Sequence, residues 1–232
     1  MGILLLLSGL AFGLTPPRPA LPEPNGTVKL DGVETPVHWD DGDTFFVPST
    51  RTKARLQGFN TLEGYGAVHR FGPGEKVLFD NAKAATDLAR SKVWSCTLSE
   101  QSGGYGRKTV DCPDLRRALL EGGLAHVFSV AGPANADDLG FQQKGIDDRV
   151  GMWVNGAPKS IVTSVHSVDE KPGATDSYNR VLDIATGEAK KQVHQNVYKT
   201  CEWVCVDAAC LLYVPYSVRY GEGRAACLAA PE

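Results

Sequence analysis

The sequence predicts an α+β, mainly β fold: a five-stranded barrel of the OB type with three helices, followed by a small, disulfide-stapled, β-rich domain. Three observations predict this arrangement. Five short runs in the first half of the chain are rich in β-branched, aromatic and alternating apolar residues. Three further segments carry helical periodicity or helix start and stop signals. The last part of the chain combines four cysteines with many aromatic residues.

The five predicted strands are separated by residues that favour turns, including an Asp-Gly pair, a Ser-Thr pair and the Gly-rich turn at 102–106. They are Thr27–Gly32, Pro36–Val47, Lys53–Phe59, Lys92–Leu98 and Arg107–Cys112. Because three strands, a helix, two strands and two helices follow one another, we expect a barrel domain over residues 27–157.

Three helices are predicted between and after these strands. Apolar residues recur at helical spacing over Glu75–Arg90, which follows a Pro-Gly pair. The second helix, Asp114–Glu121, ends at a Gly-Gly pair. The third, Asn135–Trp153, begins with an Asn N-cap and has two Asp residues in its first turn.

The N-terminus predicts export. The apolar run Ile3–Leu14 is too short to span a bilayer but suits the central region of a signal peptide over residues 1–13, cleaved after Gly13. A Pro-rich linker follows over residues 14–26. We therefore expect a secreted or periplasmic protein without stable membrane insertion after the signal is removed.

The six cysteines fit an exported protein. Cys96 and Cys112 lie in separate predicted strands, and we expect them to form a disulfide worth on the order of 3 kcal/mol in the chain-entropy model. Zinc is the rival interpretation for the other four, but their spacings contain no Cys-x-x-Cys pair, which favours disulfides. The sequence leaves three pairings open among them. They are Cys201, Cys205, Cys210 and Cys227.

The charge balance limits the function classes. With 24 Lys and Arg against 27 Asp and Glu, the net charge is −3, which excludes a polybasic, electrostatically adhesive DNA binder. A nucleic-acid partner would need a local basic site. The region 158–232, an expected Cys-rich accessory domain, is close to neutral and contains no motif that indicates chemistry.

Three short segments carry the chemistry. They are the acidic turn Asp40–Thr44, the segment Arg55–Glu63 and the Gly-rich turn Gly103–Arg107. Taken singly, they would be a polar turn, a surface ion pair and a hairpin with a solvated Arg. The acidic turn lacks the downstream Gly and Glu of an EF-hand.

In this order and spacing, the segments resemble the staphylococcal nuclease (thermonuclease-like) family over about residues 28–156. The resemblance also includes the sequence RRALLEGGLAHV at Arg116–Val127 and a Gly-Met-Trp triplet that ends at Trp153. It implies an OB barrel with three helices and calcium-dependent hydrolysis of DNA and RNA phosphodiesters.

The resemblance also implies roles for five residues. Asp43 corresponds to a carboxylate ligand of calcium, and Thr61 to a ligand that uses its backbone carbonyl. Glu63 corresponds to the general base that deprotonates the attacking water. Arg55 and Arg107 correspond to the arginines that hold the scissile phosphate. These roles suit the reaction, because an anionic phosphodiester is attacked more readily where planar guanidinium groups and a hard cation offset the developing charge.

The sequence departs from the family pattern at several positions. Asn60 stands where the family has a second aspartate ligand, and Leu62 replaces a proline. An amide oxygen can still bind calcium, but the loss of one negative charge predicts a weakly bound metal. The tyrosines that the family places after the second helix appear here as Ser129 and Ala131.

Five more side chains are candidates for contacting nucleic acid. Two of them, a His and a Phe that follow the second helix, could stack on a base, with a surface His and a core Phe as the alternatives. Two others lie in the loop 64–72. The candidates are Tyr105, His69, Arg70, His126 and Phe128.

These observations favour an exported, metal-dependent nuclease, which we expect to be a monomer. The alternative is a catalytically weak or inactive thermonuclease-like module that binds nucleic acid or a partner protein. Retention of Glu63, Arg55 and Arg107 favours the enzyme, whereas Asn60 and the near-neutral surface favour the module. A further alternative places the function in the C-terminal domain, with the barrel as its scaffold.

Overall fold

The computed structural model of the protein describes residues 20–102 and 106–228. Its elements up to the third helix are β1 (Gly26–Leu30), β2 (Val33–Trp39), β3 (Thr44–Val47), β4 (Thr52–Leu56), β5 (Phe59–Thr61), β6 (His69–Arg70), α1 (Glu75–Arg90), β7 (Trp94–Ser102), β8 (Lys108–Asp111), α2 (Pro113–Glu121), β9 (Ala125–Val127) and α3 (Ala136–Asp147). Five strands follow, β10 (Ser160–His166), β11 (Ser177–Asp183), β12 (Ala189–His194), β13 (Glu202–Val206) and β14 (Ala209–Tyr213). The predicted signal peptide and the first part of the linker lie outside the described residues.

A closed barrel of six strands, in the order β1-β2-β3-β4-β8-β7, forms the first part of the molecule. The β1–β7 and β4–β8 pairs are parallel, and the others are antiparallel. The fold is therefore α+β with an OB-like barrel, but the prediction of five strands is wrong. The predicted run Pro36–Val47 divides into β2 and β3, because the backbone N–H of Asp40 donates to the carbonyl of Thr44 at 3.0 Å and closes a hairpin.

The barrel interior holds the largest apolar cluster of the described residues, and α1 and α2 pack on it through their apolar faces. The rings of Trp39 and Phe45 meet edge to face, with 5.0 Å between their centroids. Ala85 and Ala89 bring α1 close to this cluster, since their small side chains allow the helix to approach the strands. The core thus fixes the strand ends from which the site residues project.

The three helices lie close to their predicted positions. The bounds of α1 match the prediction, and the side chain of Asn135 caps α3 by accepting the N–H of Asp137 at 2.8 Å. The prediction that α3 continues to Trp153 is wrong. The helix ends at Asp147, and the backbone enters the left-handed region first at Arg149, with a φ of 50°, and again at Gly151, with a φ of 55°.

The region after α3 forms two small sheets, one of which includes a strand from the first part of the chain. One sheet has the order β10-β11-β12, and the other has the order β13-β14-β6. In the second sheet, Leu211 pairs with His69 and Cys210 pairs with Arg70. Residues from before and after 158 therefore share a sheet.

All six cysteines are paired, which confirms the Cys96–Cys112 disulfide and selects one of the three open pairings. Cys205 joins Cys210 across the β13–β14 pair, and Cys201 joins Cys227 near the C-terminus. The zinc alternative is excluded, because all four of these thiols are oxidised.

No helix in the ranges 20–102 and 106–228 has the length and apolar character needed to cross a bilayer.

Candidate active site

The carboxylate of Asp43 is the centre of the candidate site. It follows the β2–β3 turn and is 1% exposed. Its Oδ1 accepts hydrogen bonds from the hydroxyl of Thr44 at 2.9 Å and from a guanidinium N–H of Arg55. Its Oδ2 accepts from the backbone N–H of Thr61 at 2.8 Å and from the Thr61 hydroxyl at 3.1 Å. Asp43 thus ties together β3, β4 and β5, the strands that carry the predicted site residues.

Arg55 lies between two predicted metal ligands. It sits on β4 opposite Thr44, and its Nη1 binds Asp43 while its Nη2 binds the Oδ1 of Asn60. The predicted phosphate-binding arginine therefore provides the positive charge that these oxygens face in this conformation. A cation that binds Asp43 and Asn60 must displace the guanidinium, which then becomes available to an anion.

Asp41 adds a second carboxylate to this group. Asp43 donates its backbone N–H to the Oδ1 of Asp41 at 3.0 Å. Burial and the negative charge of Asp43 raise the pKa of Asp41 well above its ordinary value. The sequence analysis assigned no role to Asp41, although it belongs to the acidic turn. Burial has the larger effect on this pKa, the neighbouring carboxylate adds to it, and the positive charge of Arg55 opposes both.

The donor set fits a hard, oxygen-loving cation. Two carboxylates, the amide oxygen of Asn60 and the backbone carbonyl of Thr61 are ligands that calcium accepts. No cluster of three or more His, Cys, Asp or Glu side chains suited to a metal occurs among the described residues. Because half of these donors are neutral oxygens, we expect the set to bind a cation weakly.

Glu63 follows β5 directly and lies half-buried beside these charges. Burial raises its pKa, the negative charge of Asp43 raises it further, and the positive charges of Arg219 and Arg55 lower it. Its backbone N–H donates to the Nε2 of His69 at 3.0 Å. A carboxylate with a raised pKa, held near two guanidinium groups, has the properties of a general base.

Arg107 comes immediately before β8. Arg55 pairs with Thr109 in the parallel β4–β8 register, and residues two apart along an extended strand share a face. The register therefore directs Arg107 to the same side of the sheet as Arg55. Tyr105, another predicted substrate contact, lies outside the described residues.

The two histidines predicted to contact substrate are buried, His69 at 5% and His126 at 1% exposure. Burial lowers the pKa of His69 to about 3 and that of His126 to about 4, so both are neutral at pH 7. The prediction that they meet nucleic acid is not supported, since neither ring is open to solvent. His69 instead positions the backbone of Glu63. Phe128 is partly buried against an apolar cluster, as its core alternative proposed.

Arg70 is exposed but makes structural contacts. Its Nε donates to the Oε1 of Glu75 at 2.8 Å, and its guanidinium lies 4.1 Å from the ring centroid of Trp203. It thus connects the start of α1 with β13.

The C-terminal region reaches the site, which the sequence analysis did not predict. Arg219 lies with its guanidinium carbon 4.8 Å from the ring centroid of Tyr65, close enough to Glu63 for its charge to act on that carboxylate. The ring of Tyr220 lies 6.1 Å from that of Tyr65. The only local signal was the concentration of Tyr and Arg at 216–220.

No protein-family model matches the chain, and no curated protein matches it. The fold and the site define an α+β protein with a closed, OB-like barrel and a cluster of buried acidic and guanidinium groups at the strand ends. The likeness to the thermonuclease-like family therefore rests on the sequence motifs.

Proposed function

We propose that the protein is an exported, metal-dependent nuclease that hydrolyses phosphodiester bonds of DNA, RNA or both. The single observation that carries the proposal is the convergence of Asp43, Arg55, Thr61 and Glu63, which come from three separate strands or strand ends. A half-buried carboxylate with a raised pKa beside these groups is a candidate general base.

In this proposal, Glu63 orients a water molecule and accepts its proton as the water attacks phosphorus. Arg107 and Arg55 hold the non-bridging oxygens, where planar guanidinium groups match phosphate geometry. Asp41, Asp43, Asn60 and the carbonyl of Thr61 would hold calcium. The bound ion would supply positive charge that offsets the charge building on the phosphate.

Export is supported by the disulfides. Three disulfides in one chain are typical of oxidising compartments and rare in the cytosol. A secreted or periplasmic location also fits a weak calcium site, because extracellular calcium modules work at about 10⁻⁴–10⁻³ M.

The test is digestion of single-stranded DNA and RNA with calcium or with chelator. Glu63→Gln and Arg107→Ala should each lower kcat by about 10²-fold or more, because each removes a group needed in the transition state. Glu34→Gln, an exposed change on β2, is the matched control. Parent activity that persists in both variants would refute the assignment.

The second candidate is a thermonuclease-like module that binds nucleic acid or a partner protein without hydrolysing it. The observation in its favour is that Arg55 is bound to both Asp43 and Asn60, which leaves no open position for a cation in this conformation. An absence of calcium-dependent hydrolysis, together with retained oligonucleotide binding, would favour this candidate.

A further inference from the structure

The segment 214–228 follows β14 and is fixed against the loop after Glu63. The Cys201–Cys227 disulfide anchors its end, and Leu228 is fully buried. Leu228 packs on Gly66 so closely that a Cβ there would lie 2.7 Å from the Leu228 side chain. Arg224 donates to the backbone carbonyl of Tyr65 and to that of Leu228. The segment therefore has a set position relative to the candidate site.

This well-anchored segment nevertheless leaves two aromatic rings in solvent. Tyr216 is 74% exposed and Tyr220 is 58% exposed. Their ring centroids are 6.0 Å apart, and the Tyr220 ring continues to Tyr65 at 6.1 Å. A folded chain gains more by burying such rings than by exposing them, so adjacent exposed tyrosines on a fixed segment indicate a binding surface.

A positive charge lies in the same surface. The guanidinium of Arg219 stacks on Tyr65, and within the described part of the chain its hydrogen bond runs from Nε to the carbonyl of Val214 at 2.8 Å. Those two contacts hold its orientation, and its terminal NH₂ groups remain available to an oxygen acceptor.

The surface borders the predicted catalytic groups. Tyr65, whose ring lies 4.8 Å from the Arg219 guanidinium carbon and 6.1 Å from the Tyr220 ring, follows Glu63 by two residues. Aromatic faces, one oriented guanidinium and the candidate general base thus adjoin one another.

We propose that Tyr216, Arg219 and Tyr220 form a subsite for unpaired nucleotides next to the scissile phosphate. The tyrosines stack on bases, and Arg219 binds a backbone phosphate. Bases present their faces only where the strand is unpaired, so the preferred substrate class is single-stranded nucleic acid. The inference rests on the proposed nuclease function and deepens it, since it gives the C-terminal region a role in that site.

The experiment measures binding separately from hydrolysis. A fluorescein-labelled oligothymidylate of about 8 nucleotides is titrated with Glu63→Gln protein in chelator, and the Kd is taken from fluorescence anisotropy. In that background, Tyr216→Ala and Tyr220→Ala should each weaken binding by about 10-fold, because each removes a stacking face. The Phe variants keep the ring and should bind within about 2-fold of the parent. Arg219→Ala should raise the Kd and reduce its dependence on salt concentration. The control Lys190→Ala removes an exposed charge on β12 and should change neither quantity.

Circular dichroism confirms that each variant is folded. Equal affinities of the Ala variants and the parent would overturn the subsite, as would an equal loss in the Phe variants. A matching loss for duplex DNA would overturn the assignment to unpaired strands. If the parent protein hydrolyses oligonucleotides while the Ala variants bind normally, the subsite fails alone. If hydrolysis is absent but the Tyr dependence holds, the nuclease function fails and the binding site stands.

Discussion

The barrel and the region after residue 158 contribute in opposite ways. The barrel closes on itself through six strands and one apolar core, and its candidate site consists of buried groups such as Asp43. The later region has two three-stranded sheets, takes β6 from the first part of the chain and contains two of the three disulfides. What it brings to the site is exposed, above all Tyr216 and Tyr220. The buried carboxylate of the candidate site thus comes from the barrel, and the exposed rings that we propose as substrate contacts come from the later region.

An apolar cluster nevertheless joins the two regions. Its members come from α1, from loop and turn positions of the first part, and from the sheet region of the second. They are Leu62, Phe71, Leu78, Ala82, Met152, Trp153, Ile161, Leu182, Ile184, Ala189 and Ala209. We therefore expect the barrel and the later region to have different roles at the site but to unfold together in one transition.

The largest effect is expected at this shared cluster. Ile161→Ala should lower the free energy of unfolding by about 2–5 kcal/mol, since it leaves a cavity at a position that is 1% exposed. Urea unfolding followed by tryptophan fluorescence and by far-ultraviolet circular dichroism should still show one coincident transition. Two separated transitions would show that the regions unfold independently.

A smaller effect is expected from the disulfide that anchors the tyrosines. Replacing Cys201 and Cys227 together by Ser should cost about 3 kcal/mol of stability in the chain-entropy model. Oligonucleotide binding should weaken as well, because the segment 214–228 loses its fixed position. The matched control replaces Cys96 and Cys112, which should lower stability while folded protein keeps its affinity. The same affinity loss in both double variants would contradict a specific role for the Cys201–Cys227 bond.

The pH dependence of stability tests the buried side of the comparison. The pKa of His126 is about 4 in the folded state, below its ordinary 6.5, so between these values the unfolded chain binds more protons than the folded one. The contribution of neutral His126 to the free energy of unfolding is therefore fully present above pH 6.5. It is lost as the pH falls towards 4, and the loss amounts to roughly 3 kcal/mol. His126→Gln should therefore have a flatter stability profile between pH 7 and pH 5 in urea titrations. Above pH 7 the stability profiles of the parent and His126→Gln should have the same slope. The same slope between pH 7 and pH 5 as well would contradict the lowered pKa of His126.

The smallest effect concerns the metal ligands. Asn60→Asp keeps the side-chain shape and adds one negative charge, so it should lower the calcium concentration at half-saturation by about 10-fold, measured by calorimetry without substrate. Asp43→Asn should raise that concentration. An unchanged midpoint in Asn60→Asp would place residue 60 outside the metal shell.

Local patterns predicted the elements whose ends are set locally. The α1 helix has its periodicity and its opening Gly within the same stretch of sequence, and its bounds were predicted correctly. The end of α3 was not, because the backbone enters the left-handed region at Arg149, where the sequence has no Gly or Asn to signal it. The break between β2 and β3 was missed since alternation continues on both sides of the acidic turn.

The same distinction between local and long-range determinants applies to the residues of the candidate site. Its motifs lie within short segments, so Asp43, Arg55 and Glu63 could be proposed from spacing and resemblance. Arg219 lies more than a hundred residues after Glu63, and it is brought near by the β6–β14 pairing, the Cys201–Cys227 bond and the contacts of Leu228 and Arg224 with the loop after Glu63. A contact of this range leaves no periodic signal in a single sequence.

The two-residue strand β6 limits how this protein can evolve by recombination. Its His69 accepts the backbone N–H of Glu63 and pairs with Leu211 in the same short stretch. Recombination that exchanged everything after residue 158 for an unrelated sequence would therefore remove the neighbour that holds the candidate base. The two halves are coupled through this strand pair and the apolar cluster that they share, so we expect them to be gained and lost together.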